Sequence, residues 1–423
     1  MEIRKMKTKD LKIADYNPRK DLKPGDAEYE KIKRSIQEFQ CVEPLVLNAR
    51  TGLLVGGAQR LKVLIELGYD EIETVIVDLS PENERALNIA LNAAVGAWDY
   101  EKLSTLLEQL QQVPDFDISL SGLSSPEISR ILDDFHQAKD DDNFDADAAL
   151  EKIDEPITKE GDLIILGRHR LLCGDSGNPE DLTKLMNGEK AALLTCDPPY
   201  GISYYQDKNA RPQKNPRPKK CRRWDTIYND SLNEEDYFKW IAQVFANMDK
   251  HLAEGAPVYV WNAWKQFYSM ANILQNLQYH IGCIITWGKQ SFTLGYGDYQ
   301  QKTEFCLYAW KKENGAHRWY GPNNESTLWE VRRDPTKSYQ HLTQKPVELF
   351  ARAMRNSSLR DDVVLELFGG SGTAIIAAEQ LDRKCYCMEK MPAFVDVIVR
   401  RYLAFAGKGK VSEEVYNRYM TEV

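Results

Sequence analysis

The longer part of this chain contains the run Val363-Val364-Leu365-Glu366-Leu367-Phe368-Gly369-Gly370-Ser371-Gly372-Thr373, followed by an apolar segment that ends at Leu381. Its first five residues are apolar apart from Glu366, which is typical of a strand buried on both faces. The glycines allow close approach of the backbone to a ligand, and a helix starting at Thr373 offers free N–H groups. Because strands and helices alternate around this run, we predict an α/β fold with a doubly wound parallel sheet.

An acidic residue follows this turn at a distance that suggests a ribose site. Glu389 lies 20 residues after Gly369, at the end of the strand predicted near Cys385. An acid there can bind both ribose hydroxyls. The turn by itself fits NAD, FAD or S-adenosylmethionine, and its spacing departs from Gly-x-Gly-x-x-Gly, which disfavours a dinucleotide.

A second motif, Asp197-Pro198-Pro199-Tyr200, follows the apolar run 191–196. The exocyclic amine of adenine or cytosine is a poor nucleophile because its lone pair is delocalised into the ring. The carboxylate of Asp197 and the carbonyl of Pro198, which proline holds in place, can accept both N–H groups and direct the lone pair toward a methyl group. Tyr200 offers a flat face to an extruded base. We therefore predict methyl transfer from S-adenosylmethionine, with S-adenosylhomocysteine as product; a proline-rich turn with an incidental acid is the alternative.

The net charge of −9 is unevenly distributed. Residues 1–158 carry 19 Lys and Arg against 32 Asp and Glu, whereas residues 159–423 carry 36 against 32. We interpret segment 203–229 as a loop that contacts DNA phosphates, since phosphate contacts dominate nucleic-acid affinity; a solvated loop is the alternative. Its basic residues are Lys208, Arg211, Lys214, Arg217, Lys219, Lys220, Arg222 and Arg223.

Composition narrows the class of protein. Hydrophobic residues make up 43% and aromatic residues 10% of the 423 residues, as in globular proteins with an ample core. The charged start and the lack of a long apolar run predict no signal peptide and no membrane partner. The eight cysteines show neither a metal-ligand spacing nor a disulfide framework, so we expect no metal and a cytoplasmic, nucleoid-associated protein.

Composition also predicts where the chain divides. Segment 137–158 is rich in Asp and Glu, and we expect a solvated linker with at most one short helix. In residues 1–136 the periodicity predicts an α+β domain with a helical tail. Its helices are predicted at 31–39, 59–67, 81–92, 100–111 and 126–135, and its strands at 44–47 and 75–77. After the linker we predict strands at 162–166, 169–173, 191–196, 257–261, 281–287, 305–310 and 363–367, and helices at 234–251, 347–355 and 373–381.

In their order, these motifs resemble the amino-directed DNA methyltransferases of the permuted β type, in which the catalytic tetrapeptide precedes the cofactor loop. The resemblance covers residues 159–423 and implies a Rossmann-like methyltransferase domain. It includes Arg170 to Ser176, Trp287-Gly288-Lys289 and His341 to Pro346. It assigns donor binding to Asp175, Lys345, Glu366, Phe368, Gly369, Gly370, Ser371, Gly372 and Glu389. It implies that Asp175 lies near the donor adenine and that Trp287 packs against the target-base pocket; taken singly, Trp287 is a core residue and His341 is structural.

One departure and one variable region qualify this resemblance. The family usually has Asp-Pro before the Phe of the cofactor loop, where this chain has Glu366-Leu367. Glu keeps the charge on a longer arm, which predicts weaker donor binding.

Region 288–335 falls where the family carries target recognition, and its aromatics and arginines suit base and backbone contacts. These are Tyr296, Tyr299, Trp319, Tyr320, Trp329, Arg332 and Arg333.

The first domain resembles a ParB-like module with a ParB/sulfiredoxin-like fold. The matching segments are Tyr16 to Arg19, Glu43 to Val46, Gly56 to Arg60 and Leu87 to Asn92. This family usually has His or Glu where this chain has Ala58 and Gln59. The departure predicts a scaffold that aids DNA engagement or partner binding, in preference to an active nuclease or nucleotide hydrolase.

Together these features predict a site-specific enzyme that methylates the N6 amine of a flipped adenine in double-stranded DNA. Asp in the first place of the tetrapeptide favours adenine, whereas Ser favours cytosine, so N4 methylation of cytosine is the alternative. A non-catalytic ParB-like DNA-binding adaptor and an enzyme acting on RNA or protein glutamine are the other candidates. Direct in-line transfer needs no covalent intermediate, so Cys196 is not expected to be a nucleophile. A homodimer is a candidate assembly, and an orphan or phage-borne modification enzyme is the expected setting.

Overall fold

The computed structural model describes residues 2–93, 98–135, 142, 144–199, 232–293, 298–311, 317–331 and 345–420. The chain divides into two compact units, Met1–Gln137 and Ala138–Val423. Within the described ranges, the helices are all too short or too polar to span a lipid bilayer.

The first unit is an α+β domain with a five-stranded sheet in the order β1-β5-β3-β4-β2. Its strands are β1 (Glu2–Lys7), β2 (Lys12–Ile13), β3 (Leu45–Asn48), β4 (Leu53–Gly56) and β5 (Glu71–Val77). Its helices are α1 (Ala27–Phe39), α2 (Ala58–Glu66), α3 (Pro81–Ala93), α4 (Tyr100–Gln111) and α5 (Ser125–Phe135). All the helices and strands predicted here are confirmed. The sequence pattern does not predict β1, because its exposed, charged residues become a strand only through antiparallel pairing with β5.

The helical tail of this unit has a core of its own. Leu103 and Leu107 of α4 pack with Ile128 and Leu132 of α5 in one buried cluster. These residues are spaced three or four apart on each helix, so each helix buries a single apolar face. The side chain of Asp99 caps α4 by accepting a hydrogen bond from the backbone N–H of Lys102 at 3.2 Å.

The second unit is built on a nine-stranded sheet in the order β12-β10-β11-β9-β8-β13-β14-β7-β6. Its strands are β6 (Leu163–Leu166), β7 (His169–Cys173), β8 (Leu193–Cys196), β9 (Pro257–Asn262), β10 (Tyr279–Thr293), β11 (Gln301–Lys311), β12 (Leu328–Trp329), β13 (Val363–Glu366) and β14 (Lys384–Glu389). The central strands β9, β8, β13, β14 and β7 are parallel, as predicted. Strands β10, β11 and β6 add antiparallel pairs toward the edges.

Helices cover both faces of this sheet. They are α6 (Ala146–Glu151), α7 (Pro179–Met186), α8 (Glu234–Asp249), α9 (Phe267–Asn276), α10 (Val347–Ser357), α11 (Thr373–Gln380), α12 (Pro392–Ala406) and α13 (Glu413–Met420). Consecutive strand residues point to opposite faces, so Leu193 joins the core beneath α10–α13 and Leu194 the core beneath α7–α9. Two-sided burial, worth roughly 1.5–3 kcal/mol for each large apolar side chain, explains why β8 and β13 are apolar almost throughout.

The chain reverses its winding between β8 and β13. The connection from β8 through α8 leads to β9 on one side, whereas that from β13 through α11 leads to β14 on the other. Ligands in open α/β sheets bind at the carboxyl ends of the strands at such a point. Asp197 directly follows β8, and Phe368 lies just beyond β13, so both sequence motifs lie at this edge.

Part of the acidic segment 137–158 packs on the second unit. Leu150 and Ile153 are buried against Ala393 and Val397 of α12. Asp396 accepts hydrogen bonds from the backbone N–H groups of residues 157 and 158, at 2.7 and 3.0 Å. The one short helix allowed by the sequence is α6, and its apolar face packs the segment against α12.

Candidate active site

The backbone of Pro199 is held by a helix distant in sequence. Asp197, Pro198 and Pro199 follow β8, and the hydroxyl of Tyr237 on α8 donates a hydrogen bond to the carbonyl of Pro199 at 2.7 Å. Asn233 places this helix by capping it: its side chain accepts from the N–H of Asp236 at 2.9 Å. The tetrapeptide is therefore held from outside its own strand.

Replacing Tyr237 with phenylalanine is expected to loosen this hold. One hydrogen bond to a poorly exposed carbonyl is lost, so the free energy of unfolding should fall by about 1 kcal/mol. The predicted methyl transfer should slow by roughly tenfold because the reacting groups are positioned less tightly, while affinity for the predicted methyl donor stays unchanged. Urea unfolding and single-turnover rates measure both effects; an unaltered rate would show that the position of Pro199 does not matter for transfer.

A chain of alternating charges lies beside the tetrapeptide. The ammonium group of Lys345 forms an ion pair with Asp197 and lies 3.2 Å from a carboxylate oxygen of Glu304. Lys289 pairs with Glu304 from the other side. Burial raises the pKa of Glu304, but the two lysines outweigh it and lower that pKa to about 2. Glu304 is therefore ionised at neutral pH.

Burial raises the pKa of two other titratable groups near Asp197. Glu366 is buried at the end of β13, where one carboxyl oxygen accepts the N–H of Phe368 at 2.9 Å. Burial raises the pKa of Glu366 well above its usual range, and burial does the same for the thiol of Cys196. A protonated, buried thiol is not a nucleophile, which supports the prediction for Cys196.

At two positions of the glycine-rich turn, only glycine fits. A Cβ on Gly369 would lie 2.7 Å from the sulfur of Cys387, and Gly372 has a φ of +84°. Gly372 is also the residue that precedes α11. The sequence around β13 therefore determines a tight turn at the carboxyl edge of the sheet, directly before the start of α11.

Glu389 ends β14 beside this turn. One carboxylate oxygen accepts the N–H of Gly370 at 2.8 Å, and the other accepts the N–H of Met391 at 2.9 Å. Burial raises the pKa of Glu389 above its usual value, and the hydrogen bonds from these N–H groups oppose that rise only in part. A carboxylate offers about four acceptor positions, so two hydroxyl groups of a ribose can still bind.

The loop after β7 approaches the same place. The backbone N–H of Gly174 bonds to the carbonyl of Glu389 at 3.0 Å, which joins the ends of β7 and β14. Asp175 accepts the N–H of Gly177 at 2.8 Å. On the other side, the ring of Phe368 meets Trp240 of α8 edge-on at 5.8 Å. Asp175, Phe368 and Glu389 thus lie at the ends of three neighbouring strands.

Ser371 is held through a buried arginine. Arg401 of α12 donates to the backbone carbonyl of Ser371 at 3.0 Å and makes two bonds with the carboxylate of Asp142, at 2.7 and 2.8 Å. Asp142 belongs to the segment predicted to be a solvated linker. A residue of that segment therefore fixes the arginine that supports the glycine-rich turn.

Several predicted site residues lie outside the described residues. They are Tyr200, residues 341–344, and Lys208, Arg211, Lys214, Arg217, Lys219, Lys220, Arg222 and Arg223 of the basic loop. In region 288–335 the same holds for Tyr296, Arg332 and Arg333. Trp287 and Trp329 are buried in the core, whereas the side chain of Tyr299 is 96% exposed.

Sequence reasoning missed three residues that contact the site residues. Tyr237 and Trp240 lie on the helix predicted at 234–251, and Glu304 directly precedes the strand predicted at 305–310. Nothing in their local sequence points toward Pro199, Phe368 or Lys345. A signal was available for Glu304, because a charged residue at the start of an otherwise apolar strand needs a partner. Lys345, assigned to the donor by resemblance, forms an ion pair with the carboxylate of Asp197.

In the ParB-like unit, the residues that replace the family's His or Glu have structural contacts. Gln59 is buried; its side chain accepts the N–H of Leu22 and donates to the carbonyl of Lys20, both at 3.3 Å. Arg60 forms an ion pair with Glu43. This ion pair joins two of the segments on which the resemblance rests.

Comparison with known families agrees with this architecture. Residues 191–400 match the N6/N4 family described as DNA methylase, residues 1–94 match the ParB N-terminal domain, and residues 101–160 match the ParB-methyltransferase HTH domain. The chain thus carries an S-adenosylmethionine-dependent DNA methyltransferase domain of the N6/N4 family behind a ParB-like domain. The prediction of this domain combination is confirmed.

Individual relatives are distant. The type II methyltransferase M2.MboI of Moraxella bovis is 25% identical over 244 residues, which cover 53% of this chain and 85% of the relative. M2.DpnII of Streptococcus pneumoniae is 25% identical over 230 residues, covering 51% and 84%. Among solved structures, the M1.HpyAVI–SAM complex aligns with a TM-score of 0.40 at 20% identity, covering 55% of this chain and 97% of that one.

Proposed function

We propose that this protein methylates the N6 amine of adenine in duplex DNA at a specific sequence, with the adenine rotated out of the helix. This proposal rests on the position of Asp197. Its ionisable side chain lies at the end of β8, beside the turn after β13. An aspartate accepts hydrogen bonds only, which suits an amino group that must lose conjugation with its ring.

The donor site fits S-adenosylmethionine. Glycine at position 369 lets the turn pack closely against Cys387, and Glu389 beside it has acceptor capacity for the two ribose hydroxyls. Asp175 at the neighbouring strand end is suited to the adenine part of the donor. When bound, S-adenosylmethionine supplies an electrophilic methyl group on a sulfonium centre.

The chain's own residues then have positioning and electrostatic tasks. Asp197 accepts one N–H of the amine and the Pro198 carbonyl accepts the other, which localises the nitrogen lone pair. Tyr237 keeps this backbone from shifting through its bond to Pro199. Because the reaction is an in-line displacement, holding the two reactants in line provides most of the acceleration.

DNA engagement is assigned to two regions in this proposal. The basic residues of loop 203–229 follow the tetrapeptide directly in sequence, where phosphate contacts would bring the duplex to the carboxyl edge of the sheet. The ParB-like unit serves as a scaffold for DNA or partner binding, since Gln59 is bonded within the domain.

Identification of the methylated nucleoside tests the proposal. Duplex DNA, RNA and protein are incubated with methyl-labelled S-adenosylmethionine, and the labelled DNA is digested to nucleosides for chromatography and mass spectrometry. We expect N6-methyladenine in duplex DNA. Labelled N4-methylcytosine would overturn the adenine assignment, and label confined to RNA or protein would overturn the substrate class. DNA binding without any transfer would favour the adaptor.

A further inference from the structure

We propose that Lys345, held by Glu304, is a positioning residue that orients the carboxylate of Asp197 and keeps it in the ionised, hydrogen-bond-accepting form. This inference rests on the function proposed above, because it gives Asp197 the catalytic task. It differs from donor binding, the task that the resemblance assigns to the segment containing Lys345.

The geometry supports a dedicated role for this lysine. The side chain of Lys345 is only 5% exposed, and its ammonium lies 5.4 Å from the centre of the Trp261 ring. A lysine removed from water needs paired charges, and it has Asp197 on one side and Glu304 on the other. Lys289 in turn forms an ion pair with Glu304, so the series of alternating charges runs from Asp197 to Lys289.

The neighbours of Asp197 explain why a cation is needed there. The groups facing it from β8, β13 and β11 are Cys196, Glu366 and Cys306, and burial raises the pKa of each. Such surroundings favour a neutral carboxylic acid, which would donate where an acceptor is required. The ammonium of Lys345 counteracts this, and its second bond to Glu304 fixes the direction from which it acts.

Three variants test this proposal: Lys345→Met, Lys345→Arg and Glu304→Gln. For Lys345→Met we expect single-turnover transfer at saturating donor to fall by about 10²-fold at neutral pH. The acid limb of its pH profile should move upward by about 1–3 pH units, since loss of a nearby cation makes a carboxylate easier to protonate. Arginine should restore much of the profile. Glu304→Gln should slow transfer, and combining it with Lys345→Met should add little further loss.

Donor affinity and folding provide the controls. Equilibrium binding of S-adenosylmethionine should change less than twofold in Lys345→Met. A tenfold weaker affinity with an unmoved pH profile would overturn the proposal in favour of a donor contact. Lys311→Met is the matched control, because Lys311 pairs with Asp249 at the opposite end of β11. It should lower only thermal stability. If Asp197→Ala keeps the normal rate, the proposed function itself fails; if that variant is inactive while Lys345→Met has a normal profile, only this inference fails.

Discussion

Replacing Asp197 with alanine is expected to lower the rate of methyl transfer by about 10³-fold, the scale on which loss of one preorganised electrostatic contact acts. The carboxylate is the group at the end of β8 that can accept an amine hydrogen and carry a full negative charge. Without it the amine keeps its lone pair in the ring. Single-turnover transfer of labelled methyl groups to duplex DNA at saturating donor measures this effect.

The control for Asp197→Ala is Asp249→Ala. Both acids are partly buried and paired with a lysine, but Asp249 and Lys311 lie at the opposite edge of the sheet. We expect the control to lose some stability and to keep its transfer rate. The Asp197 variant should still bind S-adenosylmethionine and DNA. Transfer at the wild-type rate by this variant would refute the catalytic assignment.

The second large effect is expected for Glu389→Ala, as a loss of donor affinity. Two charge-assisted hydrogen bonds to ribose hydroxyls contribute about 1.5–3 kcal/mol each, so the dissociation constant of S-adenosylmethionine should rise by at least about 10²-fold. Titration calorimetry or quenching of tryptophan fluorescence can follow this change. At saturating donor the transfer rate should recover to within a few-fold of wild type, in contrast to Asp197→Ala.

Glu189→Ala serves as the control for this variant. Glu189 accepts a hydrogen bond from the hydroxyl of Tyr386, which lies on β14 as Glu389 does. Glu189 itself precedes β8, so it lies away from the glycine-rich turn. Its loss should leave donor affinity unchanged. Glu389→Gln keeps one acceptor oxygen and should therefore weaken binding less than alanine does. Equal donor affinity of wild type and Glu389→Ala would exclude a ribose contact by this acid.

The local sequence was sufficient to predict the position of a site residue where that residue lies at the end of a strand or in the turn directly after it. The apolar residues of β8 and β13 identify buried parallel strands, and the residues directly after them are bound to lie at one edge of the sheet. The positions of Asp197, Phe368 and Glu389 follow from this rule. Strand β1 depends on its antiparallel pairing with β5, so periodicity alone does not identify it.

Contacts between distant segments could not be read in this way. Lys345 and Asp197 form an ion pair although they lie 148 residues apart in the chain. Tyr237, on the helix that follows the basic loop in the sequence, donates a hydrogen bond to the carbonyl of Pro199. Asp142 was assigned to a solvated linker because acidic segments usually face water, yet it is buried with Arg401 beneath the glycine-rich turn. The charge pattern of a segment does not show which distant residue neutralises each of its charges.

By itself, the sequence determined the fold class, the order of the two domains and the two motifs at the carboxyl edge, because each depends on residues adjacent in the chain. Only the tertiary structure decided which charges surround the carboxylate of Asp197. Antiparallel pairing of β11 with β9 brings Glu304 to that edge and places Lys311 at the other. The physical reason is that strand pairing and burial set the register and the dielectric surroundings of a charge, and neither is encoded within a few residues of it.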